Sequence, residues 1–310
     1  MTQSRDPEAG ARRRDRDEPS RESYATRRVT FDSAGEVCTG TLYLPADVAD
    51  PPVVVMANGL AAEAGFGLPR YAKRFAAAGF AAFTFDYRGF GGSTGKPLVL
   101  PGRQLDDWRA ALDATTGFAG VGTGRALWGT SLSGGYVLTL AAERHDIDAV
   151  LTQVPFLDGR KLLRTKSPGF LLRAVAAGLR DRLGAFVGRT RDVKVYGETD
   201  EFALLNEPGA KDGYVRLIPR ESRWRNRTRA RTTLALPRYR PVTDAGEVYA
   251  PTLVVGATED DILPYGPVET LVENLRDPTL VSKRIGHFDV YHDAFPELVD
   301  HQLAFLRATL

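Results

Sequence analysis

A serine flanked by small residues is the clearest sign of chemistry in this chain. Ser131 lies in the run GTSLSGG, residues 129–135, between a strand predicted at Arg125–Gly129 and a helix predicted to begin at about Leu132. A strand, a tight glycine-rich turn and a helix form a nucleophile elbow, which holds a serine Oγ above the C-terminal edge of a sheet. The usual pattern is G-x-S-x-G, and Ser133 in the fifth place is small enough to fit. A serine that merely caps a helix would not need glycines on both sides, so we predict that Ser131 is a nucleophile.

Three adjacent acids are candidates to orient the base that such a serine requires. After an elbow of this kind the acid follows the serine in the chain, and the histidine comes last. The predicted strand Thr252–Ala257 is followed by Glu259, Asp260 and Asp261. We favour Asp260, with Asp261 and Glu259 as the alternatives. The structural alternative for the whole run is an N-cap and dipole partner for the helix that follows it.

The chain contains four histidines, so the candidates for the base are few. His287 lies directly after the predicted strand Leu280–Ile285, downstream of the acids. His145 ends the helix that follows the nucleophile, where a cation suits the helix dipole. His292 and His301 fall in or near the last helix and are expected at the surface. His287 is therefore the predicted base.

An oxyanion hole needs two backbone N–H groups that point at the developing negative charge. The residue after the nucleophile, Leu132, supplies one of them in this pattern. The second is expected from the loop after the predicted strand Val53–Ala57. We favour the N–H group of Leu60, with that of Ala61 as the alternative, and Gly59 permits the close turn that either would need.

Around these residues, predicted strands alternate with helices of roughly 10–15 residues. The alternation covers residues 26–155 and resumes over residues 249–310, which predicts one α/β core with a mainly parallel sheet. Between them, residues 156–248 are rich in arginine and carry a helical stripe of apolar residues over 170–186, which predicts a helical cap insertion. Residues 1–25 are highly charged with little to bury, and a disordered tail is expected.

Composition excludes several classes of protein. With 310 residues, of which 43% are hydrophobic, the chain is long enough to bury a large core. Its one cysteine, Cys38, excludes a disulfide framework and a multi-cysteine metal site, and is expected in the core. No apolar run approaches the length of about 18 residues that would predict a membrane span, so a membrane is not an expected partner. The arginines at 12–14 are not followed by the apolar segment of a secretory signal, so a cytoplasmic location is expected.

The net charge of +2 hides an uneven distribution. Residues 156–246 contain 20 Lys and Arg against 10 Asp and Glu, which leaves the rest of the chain at −8. Arginines alternate around Trp224 over residues 223–231, a pattern that could contact phosphates. The whole chain contains 34 Arg against 7 Lys, so a preference for arginine over lysine is a general feature of its composition. The arginine run is therefore weak evidence for phosphate contacts, and nucleic acid is not an expected partner. The structural alternative is a solvated face of the cap helices. Among binding partners, an anionic substrate or a carrier-bound acyl group fits this segment better than nucleic acid does.

A glycine-rich run, FDYRGFGGS at residues 85–93, follows a predicted strand. It lacks the spacing of a phosphate-binding loop and does not open a helix. We interpret it as a structural loop in which Asp86 and Arg88 brace the rim of the active site.

Six motifs spread over about residues 26–310 resemble the α/β-hydrolase fold serine hydrolases. The nearest branch is the one described as dienelactone-hydrolase-like, X-Pro-peptidase-like or polyketide-transferase-like. The resemblance implies a catalytic triad that maps onto Ser131, Asp260 and His287. Members often carry His-Gly where this chain has Asn58-Gly59, and the dienelactone hydrolases themselves use a cysteine as the nucleophile. The matching motifs are VVVMANGL, GLPRYAKRFAAAGF, FDYRGFGGSTG, WGTSLSGG, GATEDDILP and GHFDVY.

The sequence therefore predicts an α/β hydrolase with an eight-stranded, mostly parallel sheet. Ser131 would attack an ester, thioester or amide carbonyl of a small-molecule substrate, and water would release the acyl group without a metal or organic cofactor. The N–H groups of Leu132 and Leu60 would stabilise the oxyanion. The alternative is an acyltransferase or tailoring enzyme of polyketide or natural-product biosynthesis, which passes the acyl group to an alcohol or amine. A non-catalytic binding module is disfavoured because all three triad positions are filled.

Overall fold

An eight-stranded sheet forms the centre of the molecule. The computed structural model describes residues 23–310. The strands of the sheet are β1 Tyr24–Ser33, β2 Glu36–Pro45, β3 Val53–Ala57, β4 Ala81–Phe85, β5 Arg125–Thr130, β6 Ala149–Gln153, β7 Thr252–Ala257 and β8 Pro278–Lys283. Their spatial order is β1-β2-β4-β3-β5-β6-β7-β8. Strand β2 is antiparallel to both neighbours, and every other pair is parallel, so the predicted eight-stranded, mostly parallel sheet is confirmed.

Helices cover both faces of this sheet. The α-helices are α1 Leu68–Ala77, α2 Pro101–Thr115, α3 Leu132–Glu143, α4 Gly159–Leu163, α5 Pro168–Gly184, α6 Ala210–Val215, α7 Thr232–Ala235, α8 Gly266–Asn274 and α9 Phe295–Thr309. Short 3-10 helices lie at Ala185–Val187, Leu236–Arg238, Pro241–Glu247 and Asp289–Tyr291. No helix among the described residues is long and apolar enough to cross a membrane.

The central strands are buried on both faces, which explains their unbroken apolar runs. In β3, Val53 and Val55 pack into the core on one side of the sheet, whereas Val54 and Met56 pack into the core on the other. Successive residues of a strand point to opposite faces, so one short run supplies both cores. Cys38 is fully buried in the first of them, and burial raises the pKa of its thiol to about 12.

The parallel strands bring the predicted site residues to one edge of the sheet. Ser131 follows β5, Leu60 lies in the loop after β3, Asp260 in the loop after β7 and His287 in the loop after β8. Because these four strands are parallel, their C-terminal ends meet at the same edge, where open α/β sheets form their binding sites. The fold therefore gathers residues that are far apart in the chain.

Residues 156–248, which we call the inserted segment, connect β6 to β7. They hold helices α4 to α7 and also a small three-stranded sheet. The prediction of a helical insertion missed these strands. The strand Asp192–Tyr196 alternates exposed polar with buried valine residues, but over five residues only, and the other two strands have three and two residues. In spatial order the three strands are Ala203–Leu205, Asp192–Tyr196 and Thr228–Arg229.

Two predicted boundaries differ from the structure. The predicted disordered tail, residues 1–25, lies outside the described residues except at its end, where Tyr24 and Ala25 already belong to β1. Strand β8 begins at Pro278, two residues before its predicted start, because its pairing with β7 extends to that end. Proline has no backbone N–H group to donate to a strand ladder, so within sheets it occurs on edge strands or at the first residue of a strand. Pro278 meets both conditions.

Candidate active site

Ser131 occupies a strained turn between β5 and α3. Its backbone angles are φ 54° and ψ −121°, a region that residues other than glycine rarely adopt. The neighbouring glycines make the turn possible, because a Cβ at Gly129 would lie 2.2 Å from the carbonyl oxygen of Ser133. A Cβ at Gly59 would lie 2.7 Å from the Cβ of Ser131 itself. The turn therefore requires glycine at both neighbouring positions and strains the backbone of the serine, which are the two features of a nucleophile elbow.

The imidazole of His287 lies between the hydroxyl of Ser131 and a carboxylate. Its Nε2 is 3.1 Å from Ser131 Oγ, and its Nδ1 is 2.6 Å from Asp260 Oδ2. The side chains of His287 and Asp260 are only 7% and 4% exposed. A carboxylate at Nδ1 favours the tautomer in which Nδ1 carries the proton and Nε2 can accept one. The three residues can thus act as nucleophile, base and orienting acid.

Asp260 is held in place independently of the imidazole. Its Oδ1 accepts hydrogen bonds from the backbone N–H groups of residues 262–263, each at 2.8 Å. The two alternative acids lie elsewhere, since Glu259 forms an exposed ion pair with Arg284 and Asp261 is exposed to solvent. Of the three adjacent acids, Asp260 is the one that contacts His287.

The other histidines lie away from Ser131. His145 is exposed and packs against Tyr249 with ring centroids 5.2 Å apart. His301 is exposed on α9, 3.8 Å from Glu297. His292 differs from its predicted surface position, because it is half-buried and its buried Nε2 has no hydrogen-bond partner among the described residues. Burial, followed by nearby arginines, lowers the pKa of His292.

Two backbone N–H groups beside Ser131 have no acceptor within the described part of the chain. They belong to Leu60 and Leu132, and both residues line the same pocket as Ser131. Ala61, the alternative to Leu60, has a positive φ of 55° and does not line that pocket. The placement of Leu60 and Leu132 fits an oxyanion hole, in which the donors wait for the substrate oxygen.

Two aromatic side chains of the inserted segment hold the loop that carries Leu60. The buried hydroxyl of Tyr214 donates to the carbonyl oxygen of Leu60 at 2.8 Å. The indole Nε1 of Trp224 donates to the carbonyl oxygen of Ala61, also at 2.8 Å. Sequence reasoning missed both contacts, and the aromatic residue within the arginine run was the one available signal. The inserted segment therefore helps to orient the backbone of the site.

The side chain of Asn58 also holds this loop in place. Its Nδ2 donates to the carbonyl oxygens of Glu63, at 2.7 Å, and Phe66, at 2.8 Å. Its Oδ1 accepts a hydrogen bond from the hydroxyl of Tyr291 at 3.1 Å. The hydroxyl of Ser133 donates to the backbone carbonyl of Asn58. The departures from the family pattern at positions 58 and 133 are thus connected by a direct contact.

An apolar pocket adjoins Ser131 and lies between the core and the inserted segment. Its charged lining residues are Lys166 and Glu207, whose side chains form an ion pair and are about one-tenth exposed. None of the arginines of the run 223–231 lines it. The lining residues are Leu60, Ser131, Leu132, Phe156, Gly159, Leu162, Leu163, Lys166, Phe170, Leu171, Ala174, Leu204, Leu205, Glu207, Thr233, Leu236, Pro237, Ile262 and Leu263.

The arginine run lies over a separate, shallow cleft. Arg223 and Arg225 are exposed and line it, whereas Arg227 and Arg229 both form ion pairs with Asp192. Part of the positive charge that the composition predicts for the inserted segment is therefore neutralised locally. The rest lies outside the pocket that contains Ser131.

The glycine-rich loop after β4 has two different roles. Asp86 accepts hydrogen bonds from the backbone N–H groups of Ala64, at 2.7 Å, and Gly92, at 3.2 Å, which braces the loop after β3 as predicted. Arg88 instead points into the interior, where it pairs with the buried Asp107.

Among the described residues, no cluster of three His, Cys, Asp or Glu side chains could hold a metal ion.

Comparisons with known proteins show the family and the fold of the chain. The sequence model of the serine aminopeptidase (S33) family matches residues 50–298. The quorum-quenching protein AidA of Acinetobacter baumannii (strain MDR-ZJ06) is 33% identical over 284 residues, which cover 90% of this chain and 93% of that protein. The structure of DcsB in complex with its substrate analogue superimposes with a TM-score of 0.81 at 21% identity, over 92% of this chain and 99% of DcsB. The alpha/beta hydrolase GrgF from Penicillium sp. sh18 superimposes with a TM-score of 0.78, also at 21% identity and over 92% and 99% of the two chains.

Proposed function

The chain belongs to the serine aminopeptidase (S33) family of α/β hydrolases, and from this premise we propose that it cleaves carboxylic esters through Ser131, His287 and Asp260. The observation that carries the proposal is the position of His287, within hydrogen-bond distance of the other two side chains. Thioesters and amides present the same carbonyl chemistry and remain within the proposed class.

In the proposed reaction, His287 Nε2 takes the proton of Ser131 as Oγ attacks the carbonyl carbon. The N–H groups of Leu60 and Leu132 stabilise the negative charge on the tetrahedral oxygen. His287 then gives its proton to the leaving group, and an acyl-enzyme is left. Water repeats the same steps and releases the acid. Asp260 keeps the imidazole in the required tautomer and stabilises its cation throughout.

The lining of the pocket supports an apolar acyl group as the part of the substrate that lies beside Ser131. Leucine and phenylalanine side chains make up much of the wall, and burial of apolar surface stabilises a bound hydrocarbon chain. No arginine lines this pocket. Its lining therefore does not support the anionic substrate that the composition suggested. Because one relative is named a quorum-quenching protein, small signal molecules that carry an acyl carbonyl belong among the substrates tested.

The proposal is tested with a series of p-nitrophenyl esters of increasing acyl length and with a fluorophosphonate probe. We expect covalent labelling of Ser131 and a kcat/KM that rises as the acyl chain grows to fill the pocket. Ser131→Ala should lower kcat on the order of 10⁶-fold with an unchanged melting temperature. Ser282→Ala, at an exposed position on β8, is the matched control and should behave as the wild type.

Wild-type turnover by Ser131→Ala, or failure of the probe to label Ser131, would contradict the proposal. The same assay separates hydrolysis from the acyltransferase alternative, which shares the acyl-enzyme. Products are analysed with and without an added alcohol or amine. Preferential formation of the new ester or amide would favour transfer over hydrolysis.

A further inference from the structure

Helix α5 exposes a continuous apolar row on its outer face. The residues recur every three or four positions, which places them along one side of a helix. Two further apolar side chains extend the row into the 3-10 turn that follows the helix. The exposed fractions are 73% for Leu172, 48% for Val175, 47% for Leu179, 66% for Leu183, 84% for Phe186 and 73% for Val187.

Such a row is unusual, because exposed apolar side chains are normally scattered rather than contiguous. On the inner face of the same helix, Ala174, Gly178 and Asp181 are buried against the rest of the protein. The outer row is therefore additional to the face that packs against the core. It extends for about 22 Å at the rise of an α-helix.

The exposed charged side chains of this helix and of the turn that follows it are all positive. Arg173, Arg180, Arg182 and Arg189 are exposed around it. The single acidic residue between positions 168 and 189 is Asp181, whose carboxylate is fully buried. An apolar face whose own helix and following turn expose four arginines and no acid is complementary to an anionic lipid surface, where apolar side chains enter the acyl boundary and arginines meet the headgroups.

We propose that the outer face of α5 binds the surface of an anionic lipid bilayer, with the helix axis lying in the membrane plane. The expectation of no membrane partner concerned a spanning segment, and surface binding does not require one. A second copy of the chain fits this face less well, because symmetric pairing would bring two rows of arginines together.

The same helix connects this surface to the pocket. Phe170, Leu171 and Ala174 of α5 line the cavity beside Ser131, so a molecule bound through the outer face would hold one wall of its acyl pocket against the lipid. Apolar acyl substrates concentrate in lipid and would meet the pocket there. This last step rests on the proposed function, whereas binding to the bilayer does not.

Co-sedimentation with lipid vesicles tests the proposal on the full chain. Vesicles of phosphatidylcholine alone are compared with vesicles that contain about 30% phosphatidylglycerol, and we expect roughly tenfold more bound protein on the anionic ones. The double variants Leu179→Gln/Phe186→Gln and Arg180→Gln/Arg182→Gln should each lose most of that binding. Val37→Gln, at an apolar position 47% exposed on β2, is the matched control and should bind as the wild type.

Ester hydrolysis in free solution separates this proposal from the proposed function. None of the four substituted residues lines the pocket, so both double variants should hydrolyse a short soluble ester at the wild-type rate. Ser131→Ala should bind vesicles normally. Equal binding to neutral and anionic vesicles, or no binding, would overturn the proposal. A dimer in sedimentation velocity that Leu179→Gln/Phe186→Gln dissociates would also overturn it and assign the face to a second copy.

Discussion

The two oxygens of Asp260 have separate partners, the imidazole of His287 and two backbone N–H groups. In Asp260→Asn, the amide oxygen can still accept from the backbone, which leaves the NH₂ group facing Nδ1 of His287. That contact favours the tautomer whose Nε2 carries the proton and cannot act as a base. We expect kcat to fall about 10⁴-fold with little change in KM, measured by steady-state kinetics on one ester.

Asp261→Asn is the matched control for this substitution. The side chain is exposed and adjacent in the chain, so the variant should retain kcat within a factor of about two, because surface substitutions have small effects. An equal loss of activity in both variants would assign the effect to the loop rather than to the carboxylate of Asp260.

The hydroxyl group of Ser133 forms two hydrogen bonds next to the site. It is fully buried, donates to the carbonyl oxygen of Asn58 and contacts the hydroxyl of Tyr87. Ser133→Ala leaves that carbonyl without its donor, which should lower the free energy of unfolding by about 1–3 kcal/mol. Because the carbonyl begins the loop that carries Leu60, we expect kcat to fall roughly tenfold or more. Chemical denaturation and kinetics measure the two effects.

Thr116→Ala removes a hydroxyl that bonds its own helix end at the surface and is the control for Ser133→Ala. It should change stability by less than about 0.5 kcal/mol. If Ser133→Ala lost stability but kept full kcat, the hydroxyl would be structural only.

At the scale of single residues, the sequence predicted the side chains proposed to act directly and missed the side chains that hold the site in place. The serine pattern is local, and a chain with four histidines offered one after a suitable strand. The contact between Tyr214 and Leu60 joins residues 154 positions apart. It depends on how the inserted segment packs, and no spacing in the sequence encodes that.

The loop between β3 and α1 is the element that links the inserted segment to the oxyanion hole. The hydroxyl of Tyr214 holds its Leu60 carbonyl, and burial raises the pKa of Tyr214 well above its ordinary value, so the hydroxyl stays a donor. Tyr214→Phe keeps the ring and removes this hydrogen bond. We expect kcat to fall roughly tenfold while KM changes little, because the loop serves the transition state.

The matched control is Tyr249→Phe, at a position 52% exposed, which should leave both constants unchanged. A change in KM alone for Tyr214→Phe would contradict this assignment and place its effect on substrate binding. The split between kcat and KM thus distinguishes positioning of the oxyanion hole from simple packing.

The accuracy of the sequence prediction for each element depended on burial. Strands β3 and β7 are runs buried on both faces, and they begin and end where their apolar residues predict. In the inserted segment, the strand Asp192–Tyr196 exposes part of its side chains and the strand Thr228–Arg229 has two residues. Such short elements are stabilised by their neighbours, so local pattern carries little information about them.

On the scale of the whole molecule, two partly buried carboxylates of the core and two buried carboxylates of the inserted segment differ in the direction of their pKa shift. In the core, burial raises the pKa of Asp86 and Glu63. In the inserted segment, burial also acts on Asp158 and Asp181, but hydrogen bonds from arginine and backbone N–H groups outweigh it and lower their pKa. Other carboxylates of the core are exposed and have cationic partners that lower their pKa, as at Asp146 and Glu297. The buried carboxylates that hold the inserted segment together should therefore lose stabilising charge in acid, whereas Asp86 and Glu63 should not.

The sign follows from proton binding in the folded and unfolded states. A carboxyl group with a raised pKa binds protons more readily when folded, so Asp86 and Glu63 favour the folded core as the pH falls from neutral toward about 4. Asp158 and Asp181 stabilise their surroundings above the unfolded pKa of about 3.9, and that stability is lost as the pH falls below it.

Mild acid should consequently loosen the inserted segment before the sheet. We expect hydrogen exchange followed by mass spectrometry to show a selective loss of protection in residues 156–248 at about pH 3.5 relative to pH 7, after correction for intrinsic rates. Asp181→Asn replaces the titrating group, so it should lower protection around α5 at pH 7 and reduce the further loss on acidification. Uniform loss of protection over sheet and inserted segment would contradict the prediction.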